Sequence, residues 1–113
     1  MSFARGDILL VALVFSSQAG TKRRPVMVVY DGGDDDLMVV PVTSHAGRTA
    51  FDVPVGHWPR AGLRLPSVVR AEKLATVEKS AIVRQLGRLS PQDLANVEAA
   101  LHRFFQAILP NSP

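Results

Sequence analysis

The chain contains no cysteine. No disulfide can therefore staple the fold, and no thiolate can act as nucleophile or metal ligand. That composition suits a reducing compartment. Long apolar runs are also missing. Residues 8–15 form a continuous hydrophobic stretch, far short of the ~20 residues a membrane-crossing helix needs. No basic-then-apolar leader with a small-residue cleavage site precedes it. The expectation is a cytoplasmic protein with no membrane association. Internal repeats and low-complexity segments are absent as well.

What is present fits one compact domain over residues 1–113, too short for two. A hydrophobic content of 47% supports a core and excludes disorder. The net charge of +3 is a mild excess favouring a polyanionic partner. Its distribution says more. Acid gathers at Asp31 and Asp34-Asp35-Asp36, and base at Lys22-Arg23-Arg24 and between Arg60 and Arg70. Consecutive carboxylates on a turn diverge, and no histidine accompanies them, so the Asp cluster reads as a solvated turn rather than a metal site.

Apolar runs over residues 8–14, 25–30 and 37–43 read as strands, the last two joined by a turn-rich hairpin connection. Shorter strands are expected at 51–55, 67–70 and 83–89, with a long Gly- and Pro-bearing loop at 56–66 and a turn or short helix near 78–81. The end of the chain differs. Ser90-Pro91-Gln92-Asp93 supplies an N-cap, a proline at the first helical position and an acid in the first turn. Leu94, Val97, Leu101, Phe104, Phe105 and Ile108 then recur at helical spacing, and the helix should stop before Pro110. The reading is a mainly β fold, a small bent barrel closed by a C-terminal helix.

Three segments carry candidate chemistry. Lys22-Arg23-Arg24-Pro25 sets three positive charges at the lip of a buried strand. Arginine offers a planar fork of donors that matches phosphate oxygens. Pro41-Val42-Thr43-Ser44-His45 ends a strand in hydroxyls and an imidazole, and Val68-Val69-Arg70-Ala71-Glu72-Lys73 adds two bases and an acid. If the strand runs on, Arg70 and Glu72 are i and i+2 and point to one face. They form either a structural ion pair or a shared phosphate site.

These blocks, in this order, resemble the MazF/PemK family of toxin–antitoxin ribonucleases. So do Gly6-Asp7-Ile8-Leu9-Leu10-Val11, Ala75-Thr76-Val77-Glu78-Lys79 and Gly87-Arg88-Leu89-Ser90. The resemblance covers essentially the whole chain. It implies an SH3-like β-barrel of the MazF/CcdB type, usually a homodimer. It further implies a metal-independent endoribonuclease that cuts single-stranded RNA through the RNA's own 2′-hydroxyl, leaving a cyclic phosphate and a 5′-hydroxyl. Neither cofactor nor enzyme nucleophile is needed. A cognate antitoxin protein is expected to cover the same basic groove with an acidic, partly disordered segment.

The same resemblance implies the site. Arg24 and Arg70 would hold the phosphate and Thr43 would position an oxygen. Glu72 would act as base, at a place where the family more often carries Asp or Gln. Lys22, Arg23, Ser44, His45, Lys73 and Trp58 are expected to bind substrate. His45 is also a rival proton donor, since imidazole titrates where catalysis needs it. Trp58 could stack on a base or plug a core gap. Arg70→Ala is expected to abolish cleavage with little loss of folding. The chain departs from the family in the loop over residues 15–22. Two rival readings stand beside this one: a non-catalytic RNA- or antitoxin-binding module, and a CcdB-like gyrase poison acting through its terminal helix. Against the last, residues 104–113 carry no charged side chain.

Overall fold

Among the described residues, seven strands and one long helix make up the fold. The computed structural model describes residues 1–14, 21–45, 47 and 49–111. The elements are β1 (Asp7–Val14), β2 (Thr21–Tyr30), β3 (Asp36–Thr43), β4 (Asp52–Pro54), β5 (Val68–Arg70), β6 (Ala75–Glu78), β7 (Ile82–Arg88) and α1 (Pro91–Ile108). A single 3-10 turn, Lys79–Ala81, joins β6 to β7. The strand order is β4-β5-β3-β2-β1-β7, with β6 added beside β3. All the pairings are antiparallel. The sheet curls into a barrel-like shape that stays open, with β4 and β7 at the two ends of the order.

The continuous apolar runs arise because the middle of the sheet is buried on both faces. Side chains alternate along a strand. Ile8, Met27, Val29, Val40 and Val42 accordingly enter one core, together with Val97, Ala100 and Leu101 of α1. Leu9, Val11, Val26, Val28, Leu37 and Val39 enter a second. Each fully buried aliphatic side chain contributes ~1.5–3 kcal/mol relative to exposure.

Helix α1 begins as expected: the Ser90 hydroxyl caps the Asp93 N–H at 3.1 Å, and Pro91 opens the first turn. Its far end departs from expectation. Phe104 meets Phe51 edge-on at 5.4 Å. Phe105 and Ile108, by contrast, are 40% and 51% exposed. The C-terminal turns thus run past the core, so Phe105 is a surface residue.

Two strand boundaries also differ. β2 begins at Thr21, so Lys22, Arg23 and Arg24 are strand residues paired with Leu13, Ala12 and Val11 of β1 rather than a loop at its lip. β6 was not legible as a strand; it forms because Leu37, Met38 and Val39 of β3 offer it backbone partners.

Candidate functional site

The curled sheet, with residues 56–66, encloses a groove of about 900 Å³. Its cationic lining comes from four places: Arg23 and Arg24 on β2, Arg70 on β5, Arg84 on β7, and Arg64 in the loop. Thr43, Ser44, His45 and Ser67 add hydroxyls and an imidazole. No Asp or Glu is among the described residues lining it. Four of these five guanidinium groups have no carboxylate partner among the described residues, and together they make a strongly positive concavity, where low-dielectric walls focus the field.

Arg70 is held from behind. It sits directly across from Asp52 of β4, and its Nε donates to Asp52 Oδ1 at 3.3 Å. The Asp52 side chain is 3% exposed and that of Arg70 25%. The carboxylate takes the inner nitrogen, which leaves the terminal nitrogens for a ligand. Asp52 also accepts the Thr49 N–H at 3.2 Å. Arg23, Arg24, Arg64 and Arg84 have no side-chain partner among the described residues. Thr43 Oγ1 accepts the His45 backbone N–H at 3.2 Å. The hydroxyl proton of Thr43 is therefore free to be donated outward.

The loop over residues 56–66 is anchored twice. Asp93, buried at the first turn of α1, accepts the N–H groups of Gly56 and His57, both at 2.9 Å. Burial pushes its carboxyl pKa up. The His57 and Gly56 N–H groups, the Ser90 hydroxyl and the charge on His57 outweigh that and hold it below the usual carboxylate value. The second anchor is steric. Gly62 adopts φ +81°, and a Cβ there would collide with the Leu86 carbonyl, while a Cβ on Gly87 would lie 2.5 Å from the Ala61 carbonyl oxygen. Only glycine at both positions lets the loop lie flat on β7.

The expected site residues divide accordingly. Arg23, Arg24, Thr43, Ser44, His45 and Arg70 line the groove; Lys22, Trp58, Glu72 and Lys73 do not. β5 ends at Arg70, so Glu72 falls in the following turn and the same-face relation with Arg70 does not hold. The carboxylate facing Arg70 is Asp52, twenty residues upstream of Glu72 and linked to Arg70 only by strand pairing. Trp58 is half-buried against the core, and its carbonyl accepts the Ala61 and Leu63 N–H groups. It plugs the fold. The departing loop falls largely at residues 15–20, outside the described residues. Arg64, part of the basic stretch between Arg60 and Arg70, and Arg84 were not among the expected site residues, because only the fold brings them to the groove. The other acid with a lowered pKa is not among the groove-lining residues: Asp31, beside Lys79 at 3.0 Å, is held at about 2 by the Gly33 N–H, the Lys79 ammonium and the Phe3 N–H. Among the described residues no group of acids and histidines is arranged to hold a metal, and no helix is long and apolar enough to cross a membrane.

Together these features define a small barrel-like domain with a basic groove, the charge pattern that suits a polyanion. Comparison with known proteins makes the class specific. Residues 4–105 match the family model of PemK-like, MazF-like toxins of type II toxin–antitoxin systems, and the chain belongs to that family. A probable endoribonuclease MazF of Mycolicibacterium smegmatis is 31% identical over 101 residues, 86% of this chain and 91% of that protein. The Mycobacterium tuberculosis toxin MazF-mt6 superposes with a TM-score of 0.73 at 25% identity, over 88% of this chain and 96% of its own. MazF crystallised as MazE–MazF from Deinococcus radiodurans gives a TM-score of 0.71 at 26% identity, covering 96% of each chain.

Proposed function

We propose that this chain is the ribonuclease of its toxin–antitoxin pair, cutting single-stranded RNA through the RNA's own 2′-hydroxyl. The observation that carries this reading is the groove itself: five arginines and an outward-facing threonine hydroxyl, with no carboxylate among the described lining residues. A phosphodiester becoming a pentavalent phosphorane gains negative charge, and fixed guanidinium donors stabilise it where that charge develops. Arg24 and the terminal nitrogens of Arg70 take the non-bridging oxygens, and the Thr43 hydroxyl donates to one of them.

The 2′-oxygen attacks phosphorus as its proton passes to a base. The P–O5′ bond then breaks, and the 5′-oxygen takes a proton from water in the open groove. The products are a 2′,3′-cyclic phosphate and a 5′-hydroxyl. His45 is assigned as the base, because among the described groove-lining residues it alone carries an imidazole, whose ring nitrogen can accept a proton and give it back. Glu72 lies on the turn after β5, outside the groove lining, and is assigned no proton transfer. Nothing in this chemistry calls on a metal or a cofactor.

The protein acts in the cytoplasm, as a homodimer, and is silenced by a cognate antitoxin whose acidic segment competes with RNA for the groove. The test is a synthetic RNA carrying the mapped cleavage site and, beside it, the same RNA with one 2′-deoxy sugar at the scissile nucleotide. Cutting of the first and not the second supports the reading. Equal cutting of both would falsify it.

A further inference from the structure

Arg64 and Arg84 lie outside the set that the scissile phosphate requires, yet both line the groove without a partner among the described residues. Arg84 comes from the opposite end of the sheet order from Arg70: β5 lies next to one edge and β7 forms the other. Leu10 pairs with Pro25 on β2 and with Arg84 on β7. The strand bearing Arg84 therefore lies two strand spacings, about 10 Å, from the strand bearing Arg24.

Their placement is built rather than incidental. The Gly62–Leu86 and Gly87–Ala61 contacts press the loop backbone onto β7, so Arg64, two residues beyond Gly62, is delivered to the strand that carries Arg84. Asp93 holds the near end of the same loop. Beside these cations, Leu65 also lines the groove and is 57% exposed. That is apolar surface against which an unpaired base can lie. The groove, at about 900 Å³, is near the top of the ~300–1,000 Å³ range that holds a whole ligand rather than one phosphate.

We infer that Arg64, Arg84 and Leu65 form an outer nucleotide subsite that binds the phosphate and base of a residue flanking the cleaved bond. This rests on the ribonuclease reading and assigns a second role within the same groove. The subsite makes affinity depend on RNA length, and it gives the protein a means of preferring one flanking nucleotide over another. The chemistry at Arg24, Thr43 and Arg70 is left untouched.

The test measures binding of non-cleavable single-stranded 2′-deoxy oligonucleotides of increasing length to wild type, Arg64→Ala, Arg84→Ala and the double variant. Cleavage of a long RNA and of a minimal substrate spanning the scissile bond is measured in parallel. For long oligonucleotides each variant should bind several-fold more weakly. The slope of log affinity against log salt should shrink by ~0.7 per lost phosphate contact. For the shortest oligonucleotide, wild type and variants should bind alike. In cleavage, KM for long RNA rises while kcat stays within about twofold, and the minimal substrate is cut equally. Equal weakening at every length, or a fall in kcat with KM unchanged, overturns the subsite. A folded wild-type protein that binds in this length-dependent way but cuts nothing leaves the subsite standing and removes the ribonuclease reading. The melting temperature is checked for each variant, and Arg84→Gln repeats the measurement should Arg84→Ala unfold.

Discussion

Asp93 is the hinge on which the groove's loop hangs, and replacing it tests how the site is positioned. In Asp93→Ala the Gly56 and His57 N–H groups lose a charged acceptor at 2.9 Å each. Hydrogen bonds to a charged group are worth ~1.5–3 kcal/mol apiece. The first-turn acid adds ~0.3–1 kcal/mol through the helix dipole. The expected loss is therefore about 3–7 kcal/mol, a large share of the ~5–15 kcal/mol that stabilises a domain. At ~4 °C per kcal/mol for a chain of this size, the melting temperature should fall by roughly 12–28 °C. Asp93→Asn keeps one carboxamide oxygen and should lose about half as much.

The pH dependence has a definite sign. The folded-state pKa of Asp93 is lowered, so its contribution is complete above the unfolded value of ~3.9 and is lost as pH falls through the folded one. The gap between wild type and Asp93→Ala, read from urea melts, should be full at pH 7 and narrow below about pH 4. A variant within ~1 kcal/mol of wild type at pH 7 would refute the anchoring argument.

Three further outcomes follow from the same geometry. Asp52→Ala frees Arg70 and should lower kcat about tenfold or more; in an Arg70→Ala background it should add nothing, and an additive loss would show that Asp52 acts elsewhere. His45→Ala should cost ~10²–10⁴-fold in cleavage rate while Glu72→Gln stays close to wild type; the reverse ranking would return the base to Glu72. Asp31, held at about 2 when folded, gives stability that is present above its ordinary pKa and lost between about pH 4 and pH 2. Asp31→Asn should flatten acid unfolding across that window, and an unchanged profile would mean that the Lys79 pair contributes nothing there.

Local signals were readable in the chain and long-range ones were not. The Ser90-Pro91 start and helical spacing located α1, since capping and amphipathicity are encoded within a few residues. The apolar runs of β1 to β3 were equally clear, because both faces of those strands are buried. The family context singled out Arg24, Thr43 and Arg70, and the fold brings all three to one groove. The partner of Arg70 was not. Asp52 lies 18 residues away and meets it only through β4–β5 pairing, whereas Glu72 sits nearby in sequence but past the strand's end. Trp58 was ambiguous until the loop's docking on β7 turned its ring to the core. The buried Asp52 also changes one expectation. Arg70→Ala removes the cation beside a carboxylate that is 3% exposed, and breaking a buried pair costs up to ~3–5 kcal/mol. Stability therefore falls along with activity, and Arg24 is the cleaner site for a functional test.

The most direct measurement sets wild type and Arg24→Ala against a long single-stranded RNA in EDTA, with the product ends mapped. Arg24 is exposed and has no side-chain partner among the described residues, so its removal should leave melting within ~0.5 kcal/mol of wild type. The account predicts discrete cuts by the wild type, ending in 2′,3′-cyclic phosphate and 5′-hydroxyl, and a loss of ~10²-fold or more in the variant. Intact RNA from folded wild-type protein, or cutting by Arg24→Ala at the wild-type rate, would contradict it.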